Sequence, residues 1–211
     1  MPVEIKWINH ASFRIAASAP SNVLYIDPWK VPGAPADADV IFVSHSHHDH
    51  CSPPDIAKIS KADTVILAPA ETIRKIGKAT AVDPGDQMTI KEITVEAVAA
   101  YNIGKQFHPR GHNWCGAVFT IGGKRIYYAG DTDLVSEMGN LKDIDVALLP
   151  VGGTYTLNAA EAARACTAIK CKAAIPYHWG DIVGSAADAQ AFATAAPCKV
   201  HVMHPGQVIE I

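Results

Sequence analysis

Residues 39–50 read DVIFVSHSHHDH, an apolar run that breaks abruptly into a cluster holding four of the chain's ten histidines. Val40, Ile41, Phe42 and Val43 in succession suit a buried strand. The polar residues that follow stand at H-x-H-x-D-H spacing: His45, His47, Asp49 and His50. In an extended segment, alternate residues project to the same side, so His45 and His47 are placed to share one cation. The turn that must come next carries Asp49 and His50 round to a second position. Imidazole and carboxylate together suit borderline divalent ions such as zinc, manganese or iron. Chance would produce this pattern in on the order of one such chain in a thousand.

Outward from this segment, strand-like runs come early and often: residues 3–8, 12–16, 23–27, 64–68, 93–100, 116–121 and 124–131. Gly122-Gly123-Lys124 signals a hairpin between the last two. Later runs lie at 145–151, 173–178, 199–203 and 208–211. Helical patterns cover 53–60, which opens on Pro53 and Pro54, and 158–170, where Asn158 and Glu161 stand as a capping box. A third covers 186–196 and stops before Pro197. The order is meander-like β first, then strands alternating with helices, which predicts stacked sheets with helices packed outside. No repeat, low-complexity tract or long linker divides the 211 residues, so residues 1–211 read as one domain.

Composition narrows the function. Hydrophobic residues make up 49% of the chain and charged residues 18%, ample for a core and against disorder. Lys+Arg 18 against Asp+Glu 21 gives a net charge of −3, with no basic surplus to draw nucleic acid. The opening MPVEIKWINH has no basic segment followed by an apolar run. No stretch approaches the ~20 apolar residues of a membrane helix, so a cytoplasmic protein outside the membrane is expected. The five cysteines are scattered and read as reduced thiols. Cys166 and Cys171, five apart, match neither a CxxC motif nor half a zinc ribbon. There is no GxSxG elbow and no phosphate loop, which leaves the metal as the evident catalytic engine.

HSHHDH at 45–50 resembles the signature of the metallo-β-lactamase superfamily, and other segments fall in that family's order. IYYAGDT at 126–132 is similar to the later motif whose aspartate, here Asp131, bridges two metals. PYHWGD at 176–181 resembles the segment of the final histidine, here His178. NHASFRI at 9–15 and YIDPW at 25–29 are similar to the opening of a small single-domain branch. That branch contains lactonases of the ascorbate-6-phosphate type and other metal-dependent hydrolases. The resemblance runs from residue 3 to about residue 209 and implies an α/β fold, a four-layer αβ/βα sandwich. It also implies one metal site on His45, His47 and a third histidine, a second on Asp49, His50 and His178, and Asp131 between them. For the third histidine, the HPR run favours His108, spacing to the following strand favours His112, and Asn102 is a further candidate.

The implied activity is that of a metal-dependent hydrolase acting on a small ester, lactone or phosphoester. Two divalent ions, zinc before manganese or iron, would hold a hydroxide, with Asp49 or Asp131 as proton acceptor. The alternatives are a phosphodiesterase or nuclease-like hydrolase, and a metal-binding scaffold without turnover. A small-molecule substrate is the expected partner, with self-association left open. Around the motif, His48 reads as solvated, and His10 as either a pocket-rim or a hydrogen-bonded residue. Asp27 reads as either an acceptor for a ligand imidazole or a turn cap. Tyr155 is a candidate substrate contact beside Gly152 and Gly153, and Lys105 and Arg110 are candidate anchors for an anionic substrate.

Overall fold

A computed structural model describes residues 2–19 and 21–211. The chain begins with β1 (Val3–Asn9), β2 (Ser12–Ser18), β3 (Ser21–Ile26) and β4 (Ala38–Phe42). Then come α1 (Pro53–Ile59), β5 (Ser60–Ala68), α2 (Ala70–Ile76) and β6 (Thr80–Ala81). The second half holds β7 (Gln87–Ile90), β8 (Ile93–Ala99), β9 (Cys115–Ile121), β10 (Lys124–Tyr128) and β11 (Val146–Pro150). It closes with α3 (Ala159–Ile169), β12 (Ala173–Tyr177), α4 (Ala186–Ala195), β13 (Lys199–Val200) and β14 (Val208–Glu210).

These strands form two seven-stranded sheets, ordered β14-β1-β2-β3-β4-β5-β6 and β13-β12-β11-β10-β9-β8-β7. In each sheet, one half is antiparallel and the other parallel. In the first, the change falls between β2–β3 and β3–β4; in the second, between β9–β10 and β10–β11. The parallel halves need crossovers, and α1, α2, α3 and α4 supply those from β4 to β5, β5 to β6, β11 to β12 and β12 to β13. The last strand, β14, returns to pair with β1.

The buried strand expected at 39–44 is buried along its whole length, from Ala38 to Phe42. Its side chains divide between two cores. Val40 and Phe42 join the core between the sheets, while Ala38 and Ile41 join a smaller core with Ile56 and Ile59 of α1. A strand covered on both faces reads as a continuous apolar run, which is why this segment is so hydrophobic. On the other side, Ala162, Ala165, Cys166 and Ile169 of α3 and Phe192 of α4 pack into the core of the second sheet. The architecture is the expected sandwich of two sheets between outer helices.

Local signals account for several boundaries. Gly122 and Gly123, at φ 55° and 78°, make the two-residue turn that pairs Lys124 with Ile121. Asn158 accepts from the Glu161 amide and its own amide donates to the Glu161 carboxylate, so α3 begins on a complete capping box. The run at 199–203 shortens to Lys199–Val200. The His201 amide still donates to the Ala174 carbonyl. Pro176, two residues on, then faces the same neighbour without an N–H to offer, and the ladder stops. The short helix α2 follows Pro69 and has no clear signal in the sequence pattern. No helix among the described residues is long and apolar enough to cross a membrane.

Phe42 and Phe119 meet edge-to-face across the two sheets, 5.2 Å between ring centroids, and both are fully buried. Phe119→Ala removes that contact and leaves a cavity. Unfolding in urea should show a loss of about 3–5 kcal/mol.

Candidate metal centre

The polar cluster assembles where strands end. His10 follows β1, Asp27 follows β3, the 45–50 motif follows β4, Asp131 follows β10 and His178 follows β12. Three of these residues lie in the left-handed region: His10 at φ 40°, Asp27 at φ 44° and His178 at φ 61°. That conformation costs a non-glycine residue of order 1–3 kcal/mol and persists only where the surroundings impose it. Backbone hydrogen bonds do so here: the His178 amide donates to the His10 carbonyl (3.0 Å), and the Asp27 amide to the Phe42 carbonyl (2.9 Å). Each segment is thus turned sharply at the sheet edge, with its polar side chain delivered to one place.

Within the motif, the strand ends at Phe42, earlier than the run of apolar residues. His45 and His47 therefore meet on a loop rather than by strand alternation, with His45 Nε2 3.2 Å from His47 Nδ1. The His47 carbonyl accepts from the amides of His50 (3.2 Å) and Cys51 (2.8 Å), closing the turn that carries Asp49 and His50 round. Ser52 then caps α1.

Two groups of ligating atoms result. His45, His47 and His108 form one; His10, Asp49, His50 and His178 form the other. Asp131 stands between them. Its Oδ2 lies 3.2 Å from His108 Nε2, 3.1 Å from His178 Nε2 and 4.0 Å from His45 Nε2, and its Oδ1 lies 3.4 Å from His50 Nε2. His50 Nε2 and His178 Nε2 lie 3.6 and 3.9 Å from Asp49 Oδ2.

Outer partners hold the rings. His50 Nδ1 donates to Asp27 (2.7 Å), and His108 Nδ1 donates to Asn102 Oδ1 (3.0 Å). Ser44 Oγ donates to Asp27 and so can accept from His45 Nδ1, 2.9 Å away. Each of these three rings is therefore oriented with Nδ1 outward and Nε2 inward, and in the form that would ligate a cation its proton sits on Nδ1.

Whether this set fits a cation is tested by its unpaired atoms. Nε2 of His50, His108 and His178, together with Asp131 Oδ1, are buried without a hydrogen-bond partner among the described residues. Such atoms gathered at one spot would be costly in a purely structural core, and they are the donors a divalent ion uses. The electrostatics agree. Burial and neighbouring imidazoles push His45 well below the usual histidine value and His47 down to about 4, leaving both as neutral donors at neutral pH. Burial opposes ionisation of Asp131, but His178 and His50 outweigh it and hold the carboxyl well below its usual range. Burial likewise opposes charge on His50, yet Asp131 and Asp27 raise it strongly. The pocket attracts positive charge.

The chain matches the profile of the Beta-lactamase superfamily domain over residues 4–178. A UPF0173 metal-dependent hydrolase of Symbiobacterium thermophilum is 33% identical, over 97% of this chain and 98% of that relative. The chain belongs to the metallo-β-lactamase superfamily. Among solved structures, a chain described as a metal-dependent hydrolase from Parabacteroides distasonis superposes with a TM-score of 0.83 at 33% identity, covering 96% of this chain and 93% of that one. A metallo hydrolase from Ignicoccus hospitalis shares the fold, with a TM-score of 0.80 at 21% identity, covering 100% of this chain and 99% of that one.

In this superfamily member, the three candidates at the third-histidine position take different places. His108 is buried beside His45 and His47, with ring centroids 5.1 and 5.0 Å away. His112 is exposed and packs on the outer side of Trp114. Asn102 accepts from the His108 amide and ring, and its own side-chain amide donates to Asp133 and the Tyr155 carbonyl. His48 is largely exposed against Trp29.

Two residues carry more than their sequence context announces. His10 is buried, with Nε2 3.1 Å from Asp49 Oδ2, so it holds the carboxylate in place. Trp114 walls the first group, 5.0 Å from His45 and 4.9 Å from His47, and donates Nε1 to Glu71 (2.9 Å). A lone tryptophan before a strand gives no sign of this. Gly152 passes against His178; a Cβ there would meet the His178 carbonyl at 2.5 Å, so only glycine fits.

The two candidate anion anchors point elsewhere. Lys105 donates to Asp133 and the Thr156 carbonyl, and Arg110 pairs with Glu137 and lies over the Tyr101 ring. A small cavity of about 170 Å³ opens onto the ligating atoms, lined by His47, His48, Asp49, His108, Asp131 and His178, with Phe107, Tyr155 and Ile182 at its side. Among the described residues, no lysine or arginine lines it.

Asp27→Asn keeps the volume but turns an acceptor toward donors into a donor. Metal affinity, measured by chelator competition, should fall about 10–100-fold with the circular dichroism unchanged.

Proposed function

We propose that the protein is a metal-dependent hydrolase of a small neutral ester or lactone, with a binuclear site in which His45, His47 and His108 hold one ion and Asp49, His50 and His178 the other, Asp131 spanning both. The observation that carries this reading is the convergence of unpaired, buried Nε2 atoms on the Asp131 carboxylate beside an open cavity. The relatives' description as metal-dependent hydrolases supports the same reaction class. Divalent ions held there, zinc before manganese or iron, would polarise the scissile carbonyl and bring a water's pKa toward neutrality.

The chain's own residues do the rest. Asp131 is enclosed by imidazoles and is best suited to spanning the two groups. Asp49 lines the cavity and is held by His10 at 3.1 Å. Burial opposes its ionisation, but the His10 hydrogen bond and the nearby His50 outweigh that and keep it charged. It is the carboxylate placed to take a proton from an attacking water and return it to the leaving oxygen. Phe107 and Ile182, both substantially exposed, flank the opening, and Phe107 meets Tyr155 edge-to-face at 4.6 Å. An apolar group of the substrate fits against them. A phosphate would meet no basic side chain in the lining, since Lys105 and Arg110 are paired elsewhere. Neutral carboxylic esters and lactones are therefore favoured over phosphoesters.

Protein stripped of metal and reloaded with zinc, manganese or iron, then offered lactones, carboxylic esters and phosphodiesters, tests the reading. Turnover should require metal and favour the neutral carbonyl substrates. His47→Ala should abolish it, whereas turnover unaffected by that change or by chelation would refute the mechanism. Phe107→Ala should raise KM about tenfold for substrates with an apolar acyl group, with kcat little changed.

A further inference from the structure

Away from the histidine cluster, three cysteines that are far apart in sequence come together. Cys166 lies in α3, Cys171 follows the left-handed cap residue Lys170, and Cys198 precedes β13. Their sulfurs all lie within 4.8 Å of one another, and those of Cys171 and Cys198 are 3.7 Å apart. Cys166 and Cys171 are buried, while Cys198 is partly exposed and gives a way in from solvent. In sequence the pair at 166 and 171 has no metal-binding spacing; the packing of α3 against the start of β12 and β13 supplies the third thiol.

The site is separate from the hydrolase centre. Cys171 and His178 lie beyond opposite ends of β12, roughly 20 Å apart at ~3.3 Å per residue. The arrangement differs from a disulfide, which needs sulfurs at ~2.05 Å and would use two cysteines and leave the third idle. Thiolates bound to one ion at about 2.3 Å stand roughly 3.8 Å from each other. The separation between Cys171 and Cys198 is of that size. No histidine or carboxylate completes the group among the described residues. Three sulfur donors without nitrogen or oxygen select soft cations over the borderline ions suited to the histidine cluster.

We propose that Cys166, Cys171 and Cys198 form a three-thiolate site for a soft, thiophilic metal ion, monovalent copper or its like. Binding joins α3 to the edge of the second sheet and releases the thiol protons to solvent, with no change in oxidation state.

The protein, reduced under anaerobic conditions and with its histidine centre preloaded with zinc, is titrated with Cu(I) and, separately, with Cd(II). The expected result is a thiolate-to-metal charge-transfer absorption that saturates at one equivalent, with Cys166, Cys171 and Cys198 protected from alkylation. Cys198→Ser, at a partly exposed position, should lose the absorption while leaving the fold and the histidine centre unchanged. Cys171→Ser should do the same, and His47→Ala should keep it. Absence of the absorption, or its survival in Cys198→Ser, would overturn the site. Air oxidation to a Cys171–Cys198 disulfide with no metal binding under reducing conditions would also overturn it, in favour of a redox pair.

Discussion

Everything around the histidine cluster leans on one buried carboxylate, Asp27. It accepts from the Ser44 amide (2.7 Å) and hydroxyl, from the Tyr128 hydroxyl and from His50 Nδ1 (2.7 Å). These donors come from both sheets, since Ser44 follows β4 of the first and Tyr128 ends β10 of the second. A carboxyl group in the core is costly unless its oxygens are filled, and here these donors fill them. The same bonds hold the imidazole of His50 and, through Ser44, that of His45. Asp27 therefore joins the layers and sets the direction in which two candidate ligands face.

The outer bonds explain how a polar cluster survives among apolar layers. The rings of His50, His45 and His108 are tied on the outer nitrogen, to Asp27, Ser44 and Asn102. The inner nitrogens of His50 and His108 lack a hydrogen-bond partner among the described residues. Such inward-facing atoms are a local cost to stability, offset by the packed sheets on either side. Three left-handed strand ends add to that cost. Strained strand ends and unpaired polar atoms gathered at one spot are a common mark of a site shaped by its chemistry.

Selectivity follows from what surrounds the cavity. One fold hosts many reactions, so the inward-facing groups speak to reaction class alone. In the proposed reading, substrate preference is left to the side chains at the opening. Here these are Phe107, Tyr155 and Ile182, with Lys105 and Arg110 already engaged by Asp133 and Glu137.

Sequence alone determined a buried strand before the HSHHDH segment, though not its end at Phe42, the turn within that segment, the capping box at Asn158 and the alternation of strands and helices. These are local: periodicity, glycine turns and caps involve residues within a few positions of each other. The family motifs pointed to Asp131 and His178 as their companions, and both lie in the cluster. Tertiary structure decided which of His108 and His112 faces that cluster, two residues with similar surroundings in sequence. His108 is held by the carbonyl oxygen of Asn102 and reaches Asp131 at 3.2 Å, whereas His112 stays exposed. It also decided that His10 holds Asp49, that Lys105 and Arg110 face acidic partners, and that Cys198 joins two distant cysteines. In each case the deciding contact spans 6 to 39 positions of chain. Contacts of that reach arise from packing, which no local pattern records.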